Sequence, residues 1–168
     1  CLPRLFPKPD RLRMEISDAG GDFKRLRKIN HPEISVFQVA LGKQSETLPM
    51  YLSKTHDQGH TLSCEMLKCF PDVFGRKLKK ITVQVHPVDS QFPQKKFNLV
   101  KADIEGSELA FLKGGEKLFS WHPPRVLMIE IYPDFFAATH QEAIRHFRIC
   151  KRVVLNKKTL ALHFFPQE

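Results

Sequence analysis

The chain has 168 residues, 42% hydrophobic and 27% charged, with 27 Lys and Arg against 18 Asp and Glu and a formal net charge of +9. That length suits one domain with a real core, and the composition is that of an ordinary globular protein. No run is long and apolar enough to span a membrane as a helix. The start lacks the apolar centre and cleavage site of a signal peptide, so the expectation is a soluble, cytoplasmic protein.

Prolines crowd residues 1–10, which predicts an extended arm ahead of a domain over 11–168. Arg11–Ile16 reads as a short strand, and Phe23, Leu26 and Ile29 share one side of a helix. Ile34–Leu41 is β-branched and apolar and is closed by Gly42, which predicts a strand. Thr47–Ser53 predicts the second strand of a hairpin, and a polar loop follows to Thr61. Ile81–His86 alternates with period two, as a half-exposed strand does. Phe97–Ala102 predicts a buried strand, followed by a sharp turn and one amphipathic helix ending at Phe119. Trp121-His-Pro-Pro124 breaks the chain, because proline cannot continue a helix. Arg125–Ile131 is another apolar strand. Asp134 can cap a helix in which Phe136, His140, Ala143, Ile144 and Phe147 share a face. Cys150–Leu155 and Thr159–Phe165 predict two closing strands around the turn at Asn156.

Basic residues gather in Lys24–Lys28, Arg76–Lys80, Lys151-Arg152 and Lys157-Lys158. They are spread along the chain without an arginine-rich or aromatic-interleaved motif. Solvated faces and turns therefore explain them better than a nucleic-acid footprint. Cys1, Cys64, Cys69 and Cys150 have irregular spacing and do not read as a disulfide framework. His56, His60, Cys64 and Cys69 form a ladder, but the usual short-loop Cys pair of a zinc site is absent. No metal is expected.

Two carboxylates, Asp103 and Glu105, fall where the strand over 97–102 stops. In an open α/β sheet, ligands bind outside the carboxyl ends of the strands. The competing reading is helix-start chemistry, since acids are favoured there. The segment Lys101-Ala-Asp-Ile-Glu-Gly-Ser-Glu-Leu-Ala-Phe-Leu-Lys-Gly-Gly115 resembles the hallmark of the FkbM family of S-adenosylmethionine-dependent methyltransferases, roughly "K-I-D-x-E-G-x-E-x-x-x-L-x-G". Lys101, Asp103, Glu105, Gly106, Glu108, Leu112 and Gly114 stand at the matching positions. Val39-Ala-Leu-Gly42 is similar to the family's "V-A-L-G" strand end, Val88-Asp89 to its "L-D", and Leu127–Ile131 to its next strand with terminal Glu.

The resemblance covers about residues 11 to 132. It implies an α/β fold: a Rossmann-like class I methyltransferase sheet with an antiparallel C-terminal strand pair. It also implies methyl transfer from S-adenosylmethionine to an oxygen, the acceptor being a hydroxyl on a sugar or other small molecule. Asp103 and Glu105 are the catalytic candidates. Glu15, Leu41 and Asp103 are candidates for holding the cofactor, and Glu130 and His86 for the substrate. The glycine-rich turn that normally holds the methionine end of the cofactor is not legible. Asp18-Ala-Gly-Gly21 is the nearest candidate, but only twelve residues separate Gly21 from Ile34. A strand–helix–strand unit alone needs roughly 30. The better reading makes Arg11–Ile16 the second strand, so the sheet is expected to lack its first strand and the domain to be incomplete at the N-terminus. Such a chain is expected to bind S-adenosylmethionine weakly or not at all. The alternative is a non-catalytic module that keeps the fold and binds through its basic surface.

Overall fold

A computed structural model of the chain describes residues 28, 35–54, 59–75, 77–130, 151–156 and 159–163. The expected strand over 11–16, the Gly20-Gly21 turn, and the helices over 23–29 and after Asp134 lie outside the described residues, apart from Lys28.

A three-stranded sheet has the order β1-β3-β2, formed by β1 (Ala40–Leu41), β3 (Lys79–His86) and β2 (Glu46–Leu52). The expected hairpin between the first two strands does not form. β1 pairs in parallel with the end of β3, Ala40 opposite Val85 and Leu41 opposite His86. β2 runs antiparallel along nearly all of β3, from Glu46 opposite Val85 to Leu52 opposite Lys79. Pro49 explains part of this arrangement: it has no N–H to donate on a second side, and β2 is the outer strand. The apolar run 34–41 predicts a longer first strand than the two residues of β1, with bridges at Ser35 and Gln38 ahead of it. Phe37 and Val39 nevertheless pack against the main core.

Two short helices follow β2. Ser63 caps α1 (Cys64–Cys69), its side chain accepting from the Met66 N–H. Pro71 opens α2 (Pro71–Phe74), a position where its missing N–H costs nothing. Met66 and Phe74 form a small core beneath them, with Tyr51, Leu67, Phe70 and Val73 around it. After β3, α3 (Val88–Gln91) begins behind Pro87.

The second sheet has the order β4-β5-β7-β6, formed by β4 (Leu99–Ala102), β5 (Val126–Glu130), β7 (Thr159–His163) and β6 (Lys151–Asn156). β4 and β5 are parallel, with Ala102 opposite Ile129. β7 is antiparallel to both β5 and β6. Among the described residues the sheets are therefore mixed, with more antiparallel pairing than a Rossmann-like sheet implies.

The long helix expected after β4 is two helices, α4 (Glu108–Gly114) and α5 (Glu116–Trp121). The break has a cause distant in sequence. The Asp89 carboxylate reaches across from α3 and accepts the Lys117 N–H at 3.1 Å and the Leu118 N–H at 2.8 Å. A helix whose first donors are held from outside starts afresh there. Leu41, Val88, Phe92, Ala102, Phe111, Leu112, Leu118, Phe119, Leu127 and Ile129 make one continuous core. Phe92 stands edge-on to both Phe37 and Phe97, with centroids 5.5 and 5.8 Å away.

Candidate active site

The candidate site is built on the turn between β4 and α4. Ala102 is the last paired residue of β4 and is buried, so the chain leaves the sheet at Asp103. Asp103 is exposed, and its Oδ2 lies 2.7 Å from the Lys101 Nζ. Both side chains are open to solvent, 38% and 61% exposed, and such a pair contributes about 0–1 kcal/mol. The Asp103 carboxylate is thus available at a strand end without a buried partner holding it.

Two residues on, the backbone turns left-handed. Glu105 has φ 49° and Gly106 φ 93°. Glycine tolerates this freely; a glutamate does so at a cost of about 1–2 kcal/mol. Gly106 is required on a second count. A Cβ there would lie 2.7 Å from the Met66 Cγ, so the small core under α1 closes directly onto the turn.

The buried partner of the turn is Glu108. It is 7% exposed, and its Oε1 accepts the N–H groups of Ile104 and Gly106, each at 3.3 Å. Burial pushes its carboxyl up to about 7, against the lowering effect of those backbone donors; the Glu105 charge adds to the rise. Thr61, 1% exposed, closes the turn from the other side. Its hydroxyl donates to the Glu105 carbonyl at 2.5 Å and accepts from the Ser63 N–H at 2.9 Å.

The remaining candidates are distributed unevenly. Glu130 ends β5, one residue past the partner of Ala102, so its backbone and that of Asp103 stand side by side at the strand ends. His86 ends β3 and pairs with Leu41, its carbonyl accepting from the Gly42 N–H at 3.1 Å. The Leu41 side chain is committed to the core at 1% exposure, so its contribution to any ligand would come from the backbone. Glu15 lies outside the described residues, as does His56 of the possible ligand ladder. His60 precedes α1 rather than sharing its face with Cys64, and its Nδ1 accepts from the Ser53 N–H. Among the described residues no three His, Cys, Asp or Glu gather as a metal site.

Sequence reasoning missed Glu108 and Thr61 as parts of this site. Glu108 carried a signal: an acid in the first turn of a helix, inside the hallmark itself. Thr61 carried none, since it ends an ordinary polar loop.

Asp103 stands just past the carboxyl end of β4, the side of an open α/β sheet on which ligands bind. The chain matches the model of the Methyltransferase FkbM domain over residues 7–154. It therefore belongs to the FkbM methyltransferase domain family. It is also similar to the crystal structure of the methyltransferase FkbM from Methylobacillus flagellatus KT, with 20% identity and a TM-score of 0.49. That likeness covers 86% of this chain and 32% of the other, so this chain spans about a third of the solved protein's length. No curated protein matches it significantly.

Proposed function

We propose that this domain takes part in methyl transfer from S-adenosylmethionine to a hydroxyl oxygen of a sugar or other small molecule, on a Rossmann-like class I sheet. The observation that carries the reading is the family hallmark lying at the end of β4, with Asp103 exposed and Glu105 set left-handed beside it. The donor carries its methyl group on a sulfonium. Held by Asp103, Glu15 and the Leu41 strand end, it would supply an electrophilic methyl group to the acceptor oxygen, leaving as the neutral thioether, while the acceptor proton would pass to a base such as Glu105.

Asp103 fits the polar side of such a donor. An exposed carboxylate can accept hydrogen bonds from the amino group or from ribose hydroxyls. Glu105 is the candidate base or acceptor ligand, and Glu130 and His86 would bound the acceptor side. Glu15 and the Leu41 strand end would serve the ribose and adenine. The main contribution of these groups is alignment, since orienting the reactants can account for much of a displacement's acceleration. The sequence has no legible glycine-rich turn, so the methionine end would gain few backbone donors and binding should be weak.

The alternative, a non-catalytic module with a basic surface, draws on the exposed Lys77, Lys79 and Lys80 around the start of β3. An NMR titration of the chain with S-adenosylhomocysteine separates the two. Of the two expected outcomes, weak binding or none, the donor reading commits to weak binding and requires amides of Asp103–Ser107 and Leu41–Gly42 to shift at millimolar ligand. A spectrum that stays unchanged there sinks it in favour of the alternative.

A further inference from the structure

Glu105 has a backbone conformation that a glutamate does not choose. Strained residues of this kind persist only where their surroundings over-determine them, and they cluster at functional sites. Here the surroundings are specific. Thr61 holds the Glu105 carbonyl from one side, and Glu108 holds the amides of Ile104 and Gly106, which flank Glu105, from the other. Both are almost fully enclosed, at 1% and 7% exposure. Thr61 is itself fixed twice over, by its backbone bridge to Tyr51 and by the Ser63 N–H on its hydroxyl. The Met66 and Ser63 side chains then lie against Gly106, where a Cβ would meet them at 2.7 and 3.2 Å.

We propose that Thr61 and Glu108 are positioning residues: together they lock Glu105 left-handed and so fix where the Asp103 and Glu105 carboxylates stand relative to a bound methyl donor and acceptor. This deepens the methyl-transfer reading and rests on it. Neither residue touches the reactants. Each acts through the backbone of the turn, Thr61 by donating to a carbonyl and Glu108 by accepting from two amides. The segment carrying Thr61 thereby becomes part of the site although its own surface bears no candidate catalytic group. The division of labour is testable, because the hydroxyl and the acceptor oxygen can each be removed or kept with little change of volume.

The experiment uses the whole chain, native and as Thr61→Val, Thr61→Ser, Glu108→Ala and Glu108→Gln. Two readouts are taken: the intraresidue amide–α-proton NOE of residue 105, which is strong only in left-handed backbone, and the affinity for S-adenosylhomocysteine by NMR titration. Thr61→Val and Glu108→Ala should weaken that NOE towards an averaged value and weaken the affinity about fivefold, the scale of one hydrogen bond. Thr61→Ser keeps the hydroxyl, and Glu108→Gln keeps an acceptor oxygen for both amides. Each should restore both readouts to within about twofold of native. If Glu108→Ala does not fold, the Thr61 pair decides alone. Native affinity in Thr61→Val, or an unchanged NOE at residue 105, overturns the inference. So does a Thr61→Ser variant as weak as the valine. A native chain whose amides do not move with the nucleoside overturns the methyl-donor reading itself, and this inference with it.

Discussion

The two ends of α4 are fixed by opposite means. At its start the chain is held by polar groups taken out of water: the Glu108 carboxylate, the Thr61 hydroxyl and a left-handed glutamate. At its finish there is no side chain at all. A Cβ on Gly114 would lie 1.9 Å from the Gly42 carbonyl oxygen and 3.3 Å from the Pro87 Cα, so helix backbone rests directly on strand backbone. The second arrangement is rigid and indifferent to pH. The first is adjustable, titratable and strained, and it carries the candidate chemistry. Letters that stand a few places apart in one hallmark therefore have different reasons to be there.

The largest expected effect tests the glycine end. Gly114→Ala places a methyl group inside backbone that cannot step aside, unlike a flexible side chain. It should destabilise the chain by at least about 3 kcal/mol, the range of severe overpacking, or prevent folding. Urea denaturation measures this, and a loss below about 1 kcal/mol would show that the helix end can slide.

The polar end should respond to pH instead. The Glu108 carboxyl is raised from its ordinary 4.5 to about 7 in the folded chain. Between those values the unfolded chain has released the proton and the folded chain has kept it, so stability falls as pH rises through the window. The loss amounts to up to about 3 kcal/mol. Glu108→Gln should flatten that slope and be the more stable protein above pH 7. Denaturation midpoints at pH 5 and pH 8 would show it, and parallel profiles for the two proteins would count against a buried titrating carboxyl.

Asp89 offers an intermediate case, a carboxylate that is structural rather than strained. Asp89→Ala removes the acceptor for two helix-start amides and should cost about 1–2 kcal/mol, typical of a lost cap. In a chain of this size that lowers the melting temperature by a few degrees. The smallest effect belongs to Glu105→Gly. Relief of the left-handed strain is partly offset by glycine's freedom in the unfolded chain, so a gain of no more than about 1 kcal/mol is expected. A clear fall in melting temperature would mean that the Glu105 side chain stabilises the fold, not only the site.

Much of this was legible from residue patterns. The runs over 97–102 and 125–131 became β4 and β5, and the period-two run at Ile81–His86 became most of β3, but β4 is not the buried strand expected: Leu99 and Lys101 are exposed and only Ala102 is buried. Those signals are local, and their partners lie along the same sheet. The hairpin was misread because two neighbouring strands in sequence need not pair, and β3 offered β2 an eight-residue partner where β1 offered two. The helix break was invisible because its cause, Asp89, sits 28 residues from Lys117. The strand-end acids were readable as a place, since Asp103 follows an apolar run. Their restraint was not readable, because Thr61 acts from a distant loop and nothing in its own neighbourhood marks it.

That distance has a consequence for how the chain reaches its final form. Thr61 and Glu105 are 44 residues apart, so their hydrogen bond closes a long loop that contains α1, α2, β3, α3 and β4. Contacts of such sequence separation are slow to form and come late. The left-handed geometry of the turn is thus a finishing step of folding. It is not a property that a short peptide carrying the same fifteen letters would possess.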